Sequence, residues 1–207
     1  MPLALRMILL FSLASAALEA RAGAQQIEWL SASVRAALSA AVSDRPSPEP
    51  LFSSEAAKQA WLAQQTPKLA RRLPDPVQRV ELLKTIHYEA MRAGLDPHLV
   101  LGVIEVESAF RKYAISDAGA QGYMQVMPFW VRDIGRPTDN LFHLRTNLRY
   151  GCTILRYYLD REQGNLFRAL GRYNGSVGKA GYPNAVLANW RKWTSGPGPM
   201  FVMEMAP

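Results

Sequence analysis

Two carboxylates, Glu105 and Glu107, stand two positions apart in a segment made otherwise of apolar or small side chains. A helix starting at Asp96, a good N-cap, with Pro97 in its first turn places Val103, Ile104 and Phe110 three or four positions from Glu107, with Val100 a turn further back. Glu107 therefore interrupts an apolar stripe. Glu105 points about 200° away at ~3.6 residues per turn, beside Leu101, Gly102, Ser108 and Ala109, and is read as the solvated carboxylate. Apolar surroundings disfavour the charged form, and a carboxylic acid still neutral near pH 7 can donate a proton. A paired or rim glutamate is the bland reading of an acid in a helix. Residues 114–128 weigh against it, because they form a glycine-punctuated loop that brings Ser116, Gln125 and Met127 into the same neighbourhood.

Several short motifs recur together in one order. They are Glu107-Ser108-Ala109-Phe110, then Ser116, Gly119-Ala120, Gly122-Tyr123-Met124-Gln125-Val126-Met127-Pro128 and, much later, Arg172-Tyr173-Asn174-Gly175. In this order and spacing, residues 75–194 resemble the catalytic domain of soluble lytic transglycosylases (SLT). That is a mainly α, lysozyme-like fold, similar in its core to goose-type lysozymes. Tyr123 departs from the pattern, standing where many members carry leucine.

The resemblance implies a substrate, the glycan strands of peptidoglycan, and a single catalytic carboxyl group, Glu107. Most glycosidases use two carboxylates. Here Glu105 is turned away and Asp117 lies in the following loop, and the family manages without a second. It implies that Glu107 protonates the bond between N-acetylmuramic acid and N-acetylglucosamine, then takes the proton of the muramic acid 6-hydroxyl as that oxygen closes onto carbon 1. The product is a 1,6-anhydro sugar. By the same matching, Ser116 and Gln125 supply polar groups near the acid and the sugar, Met127 lines the cleft, Tyr173 orients the glutamate and Asn174 contacts the cleft. Taken alone, Met127 reads more readily as a core residue than as a cleft contact, and Tyr173 reads also as a core aromatic at a helix end. No cofactor is implied, and His87, His98 and His143 lack metal-ligand spacing.

Composition bounds the reading. A chain of 207 residues with 49% hydrophobic content buries one full core and a short appendage. The single cysteine, Cys152, allows no internal disulfide and sits in an apolar helical context, as a buried small hydrophobe would. Residues 1–24 have the pattern of a signal peptide: Arg6 near the amino terminus, an apolar run from Met7 to Leu13 too short to span a bilayer, and Ala22-Gly23-Ala24 as a small-x-small cleavage site. Ala14-Ser15-Ala16 is a second candidate site. Export to a bacterial periplasm is the expectation, with no transmembrane span in the mature protein. The formal charge is +7, and residues 1–24 account for +1 of it through Arg6, Arg21 and Glu19. A basic envelope protein is drawn to anionic polymers such as the cell wall. Nucleic acid is the other reading of a pI near 9.8, but the arginines are spread along the chain with no nucleic-acid module. There is no phosphate-cradling loop and no nucleophile elbow.

The elements that must position these residues are helices. The spacing predicts helices over 26–42, 53–73 and 77–93, a helix from Asp96-Pro97 that carries Glu107, and further helices over 128–134, 144–161, 166–173 and 180–193, with Gly94 as a left-handed C-cap. Pro46, Pro48 and Pro50 break the chain after the first helix. The expected organisation is a signal peptide at 1–24, an N-terminal helical extension with a Pro-rich linker at 25–73, the SLT catalytic domain at 74–194 and a flexible tail at 195–207. Two other functions fit the same motifs: a lysozyme-type muramidase in which water replaces the 6-hydroxyl, and a wall-binding assembly protein without turnover. Small size is read as fitting service to an envelope-spanning secretion or other assembly.

Overall fold

The computed structural model describes residues 25, 29–43, 45 and 52–195. The expected signal peptide, most of the Pro-rich stretch and the tail beyond Ser195 lie outside the described residues. Among the described residues the regular elements are α1 Ala32–Val42, α2 Glu55–Leu69, α3 Pro76–Arg92, α4 Pro97–Ser108, α5 Pro128–Ile134, α6 Leu144–Arg161, α7 Leu166–Asn174 and α8 Gly181–Thr194. The mainly α class expected from the spacing is what the chain adopts.

Capping chemistry sets the boundaries. Ser31, in extended backbone, accepts from the Val34 N–H, so α1 begins at Ala32 rather than several residues earlier. Ser54 does the same for α2 through the Ala57 N–H, and Pro67, which has no N–H to give, sits in that helix's last turn. Asp75 and Asp96 cap α3 and α4, each followed by a proline whose fixed φ suits the first turn. Gly94 takes the left-handed backbone (φ 64°) that closes α3.

Helix α4 is the centre of the molecule, with nine of its twelve residues buried. It packs most extensively against α8, and the two backbones meet at Gly102, where a Cβ would lie 2.9 Å from the Trp190 nitrogen and 3.1 Å from the Val186 oxygen. Side chains reinforce this contact at both ends of α4. Trp190 Nε1 donates to Asp96 Oδ2 at 2.7 Å, and Trp193 Nε1 donates to Glu105 Oε2 at 2.7 Å. On the far side, α3 is tied to α6 by Glu89, 1% exposed, which takes Arg149 at 3.1 Å and Arg145 at 3.3 Å. Breaking such a buried pair from one side is far more costly than never having built it.

The two N-terminal helices pack onto this body. Helix α1 lies against α5 and α6, and Arg92 of α3 donates to the Ser43 carbonyl at its end. Helix α2 docks through Trp61, whose Nε1 donates to His98 Nε2 at 3.1 Å while Asp96 holds the other ring nitrogen of that histidine. Cys152 is buried and its thiol is pushed up by burial, which fits the inert role expected of it.

The close approach at Gly102 has a direct test. Gly102→Ala should lower unfolding stability by about 1–3 kcal/mol, because the obstructing atoms are backbone and cannot rotate away. Urea denaturation measures it, and an unchanged midpoint would mean that α4 and α8 separate at no cost.

Candidate active site

The site forms where α4 ends. Ala109 takes left-handed backbone (φ 49°) and its N–H closes on the Glu105 carbonyl; Phe110 follows, also left-handed at φ 64°. Each such conformation costs a non-glycine residue on the order of 1–2 kcal/mol. Burial holds it in place: Phe110 is 2% exposed, meets Trp193 edge-on at 5.6 Å between ring centroids, and carries the Arg72 guanidinium over its face at 5.7 Å. The reversal turns the chain into residues 111–127, which cover the C-terminal end of α4.

That loop is fixed largely by side chains. Two isolated antiparallel bridges, Ile115 with Gln121 and Gln121 with Val126, fold it on itself. Ser116 Oγ accepts from the Ala120 N–H at 3.1 Å. Gln125, left-handed at φ 49° and 2% exposed, donates through Nε2 to the Ala114 and Gly122 carbonyls at 3.1 and 3.0 Å. Ser108 Oγ donates to the Tyr123 carbonyl at 2.8 Å, and the Tyr173 hydroxyl donates to the Met124 carbonyl at 2.7 Å. Asn147 of α6 accepts from the Met124 N–H and donates to the Gln121 and Leu141 carbonyls, all at 2.8 Å. Gly122 permits this approach, since a Cβ there would stand 2.4 Å from Asn147 Nδ2.

Glu107 lies in the last turn of α4 and is 5% exposed, next to the fully buried Val103 and Ile104. The Tyr182 hydroxyl of α8 donates to its Oε1 at 2.6 Å. Its Oε2 is buried and makes no hydrogen bond to any described residue. Burial pushes the carboxyl up to about 8, and the Tyr182 hydrogen bond opposes that rise. The phenol is itself held well above its ordinary range, so it remains a donor. Because Tyr182 gives its proton to Oε1, the carboxyl proton belongs on Oε2, where nothing competes for it. The arrangement offers an acid proton from a buried carboxyl group among apolar side chains.

The remaining expected residues fall in two groups. Ser116 and Gln125 are in the loop, the hydroxyl of the one and the amide nitrogen of the other engaged with its backbone. Met127, half-buried, leads into α5. Tyr173 is fully buried and near enough to Glu107 to feel its charge, but its hydroxyl holds the Met124 carbonyl, and the tyrosine that touches the glutamate is Tyr182. Asn174, 4% exposed, ends α7 ahead of Gly175. Glu105 departs from the solvated expectation: with Arg72 at 2.6 Å and the Trp193 indole at 2.7 Å it is a paired carboxylate with 15% of its side chain exposed. It was misread because its partners come from α2's flank and α8, which periodicity along α4 does not reveal. Cavities of about 390 Å³ beneath α1 and about 510 Å³ beside α2 contain none of these residues.

Sequence reasoning missed Tyr182, Asn147 and Ser108. A signal for the first exists, because Tyr182, Val186, Trp190 and Trp193 repeat at helical spacing and mark one face of α8.

Because the folded-state value of Glu107 lies above its unfolded one, the native state keeps a proton that the unfolded chain releases. Its favourable contribution is complete below about 4.5 and is lost as pH rises to about 8. Glu107→Gln should remove that slope and stabilise the fold at pH 8 relative to the wild type, by on the order of a few kcal/mol. Denaturant unfolding of both proteins at pH 5 and pH 8 measures it; parallel pH dependences would show that Glu107 is not buried neutral.

Residues 84–185 match the transglycosylase SLT domain. Over 113 residues the chain is 34% identical to a transglycosylase of Enterobacteria phage PRD1, covering 51% of this chain and 42% of the phage protein. Over 48 residues it is 50% identical to membrane-bound lytic murein transglycosylase C of Actinobacillus pleuropneumoniae serotype 5b, covering 23% of this chain and 13% of the other. A crystal structure of an inactive mutant of lytic transglycosylase Slt from Pseudomonas aeruginosa shares 25% identity at a TM-score of 0.48, over 53% of this chain and 23% of the other. The chain thus spans less than half the length of these relatives. The domain match extends across Glu107, the 111–127 loop, Tyr173 and Tyr182, so residues 84–185 form a transglycosylase SLT domain.

Proposed function

We propose that this protein is a periplasmic peptidoglycan lytic transglycosylase, with residues 74–194 as its catalytic domain and residues 25–73 as an extension that packs on it. The observation that carries the reading is the state of Glu107: a carboxyl group kept neutral by burial, oriented by one phenol, with its second oxygen making no hydrogen bond to any described residue. The SLT match and the murein transglycosylases among its relatives supply the substrate class.

The chemistry follows from that group. Glu107 Oε2 gives its proton to the oxygen that links N-acetylmuramic acid to N-acetylglucosamine, and the bond from that oxygen to the muramic carbon 1 breaks. Positive charge on carbon 1 is met by the substrate's own acetamido oxygen. The carboxylate left behind is stabilised by the Tyr182 hydrogen bond and destabilised by its apolar surroundings, so it readily recovers a proton. It takes one from the muramic 6-hydroxyl as that oxygen closes onto carbon 1, which forms the 1,6-anhydro ring and regenerates the acid. No water is consumed. Gln125 and Ser116 shape the loop against which the sugar lies, and Met127 and Asn174 border it. The basic charge of the chain favours approach to a wall carrying peptide carboxylates. Among the described residues no helix is long and apolar enough to cross a membrane. An envelope-spanning secretion system or other assembly is the setting in which a domain of this size would open the wall locally.

Glu107→Gln should retain the fold and wall binding while losing cleavage by about 1,000-fold or more. Mass spectrometry of fragments released from purified walls reads both rate and product. Anhydro ends, lighter by one water, are expected; hydrated reducing ends would make the enzyme a muramidase, and no fragments at all would leave a binding protein. The wild-type rate should fall as pH passes about 8, where the acid loses its proton.

A further inference from the structure

The domain match begins at residue 84 and leaves α2 outside it. Leu62 and Leu69 of α2 join the common core, which accounts for its apolar face. Its polar side chains need a separate account. Trp61, Gln65, Lys68 and, in the turn after the helix, Arg72 follow one another at intervals of four, three and four residues and so share one face. A polar stripe of this kind ordinarily faces water. Here each member reaches another helix.

At one end of the stripe the Trp61 indole donates to His98 Nε2 at 3.1 Å, with Gln65 Nε2 lying 3.2 Å from the same ring nitrogen. An indole can only donate, so that nitrogen accepts and the imidazole proton sits on Nδ1 against Asp96, the N-cap of α4. At the other end Arg72 donates to Glu105, in the last turn of α4, at 2.6 Å. Between them, Lys68 Nζ donates to three backbone carbonyls at the C-terminus of α8: Lys192 at 3.3 Å, Trp193 at 2.9 Å and Ser195 at 3.1 Å. The last carbonyls of a helix have no partner within it, and an ammonium has three protons to give. Those of Lys68 meet the negative end of the helix dipole. Tyr182 stands at the opposite end of α8, about 16 Å away at 1.5 Å per residue. Midway, α8 rests backbone to backbone on Gly102. A stiff helix seated at its middle moves at both ends together.

We propose that Lys68 is a positioning residue for glycan cleavage: by gripping the last turn of α8, while Trp61, Gln65 and Arg72 fix α2 along α4, it holds Tyr182 against Glu107 and keeps water from the acid. The proposal rests on the reading of Glu107 as that acid. Lys68 acts through α8 and not on the reacting atoms. With the grip released, α8 swings about Gly102, the Tyr182 hydroxyl leaves Oε1 and water reaches the carboxyl group. The two effects on Glu107 oppose each other, since losing the phenol favours the neutral form and gaining water favours the charged one. Burial is the larger influence on this carboxyl group, so the net movement is toward ionisation at lower pH.

The test follows the Glu107 carboxyl carbon by NMR through a pH titration of the full chain, in the wild type, Lys68→Met and Lys68→Arg. Lys68→Met keeps the apolar stem and loses the donors, so its midpoint should fall by roughly one pH unit or more. Fragment release from purified walls near neutral pH should drop about tenfold or more, with the alkaline limb of the rate profile moving down in step. Lys68→Arg, whose guanidinium can still serve the carbonyls, should restore most of both. Lys68→Gln is the milder variant and should lie between, and it decides the matter if Lys68→Met does not fold. A variant that melts lower yet keeps the wild-type midpoint, or whose midpoint rises, overturns the positioning role and leaves Lys68 a stabilising cap on α8. Failure of Lys68→Arg to restore the midpoint overturns it equally. A wild type that releases no fragments ends the enzymatic reading, and the titration still decides whether Lys68 governs the state of Glu107.

Discussion

A carboxyl group with Val103 and Ile104 beside it and a single phenol for company stays neutral only while water is kept away from it. That requirement reaches through the whole molecule. It demands that α4 be enclosed along nearly its full length, and a helix so enclosed needs partners that approach closely. Gly102 lets α8 come within backbone contact. Enclosure also strands the acids at the cap and along α4, so α8 returns a donor to each of three: Trp190 to Asp96, Trp193 to Glu105 and Tyr182 to Glu107. The first two acids also have cationic or histidine partners, which leaves them as ordinary paired carboxylates. Glu107 receives a neutral phenol alone. This difference in company turns one of three similar groups into an acid.

The loop over α4 solves a second problem with the same economy. An irregular segment lying against a buried acid has backbone groups that neither helix nor sheet can satisfy. Side chains from three directions meet them: Ser108 from α4 itself, Asn147 from α6 and Tyr173 from α7. The left-handed residues Ala109, Phe110 and Gln125 sit at the two hinges of this segment. The strain they hold is offset by the burial of Phe110 and by the two carbonyls that Gln125 captures.

Helix positions were legible because they depend on local chemistry. Asp75-Pro76 and Asp96-Pro97 announce starts, and Gly94 announces a stop. Glu107 was legible because its neighbours on one helix face are apolar, and that fact is contained in twelve consecutive residues. The expected solvation of Glu105 failed for the converse reason, since its fate is decided by Arg72 and Trp193, far away in sequence. Tyr182 went unrecognised as a site residue for the same cause, because nothing in a linear reading pairs α8 with α4. Tyr173, matched by motif, proved to brace the loop that faces the acid. Asn147 was invisible as the loop's anchor, since one asparagine in a long amphipathic helix reads as surface until the fold turns it inward.

The indoles share a property that reaches beyond packing. Of the five tryptophans, Trp61, Trp190 and Trp193 donate to groups on α4, Trp130 donates to Gln25, and Trp29 is fully exposed. The surroundings of four of these five chromophores therefore change if the helix bearing Glu107 shifts in its seat or Gln25 lifts away. A cuvette and a lamp are enough to follow, in real time and without any label, whether α4 is in place.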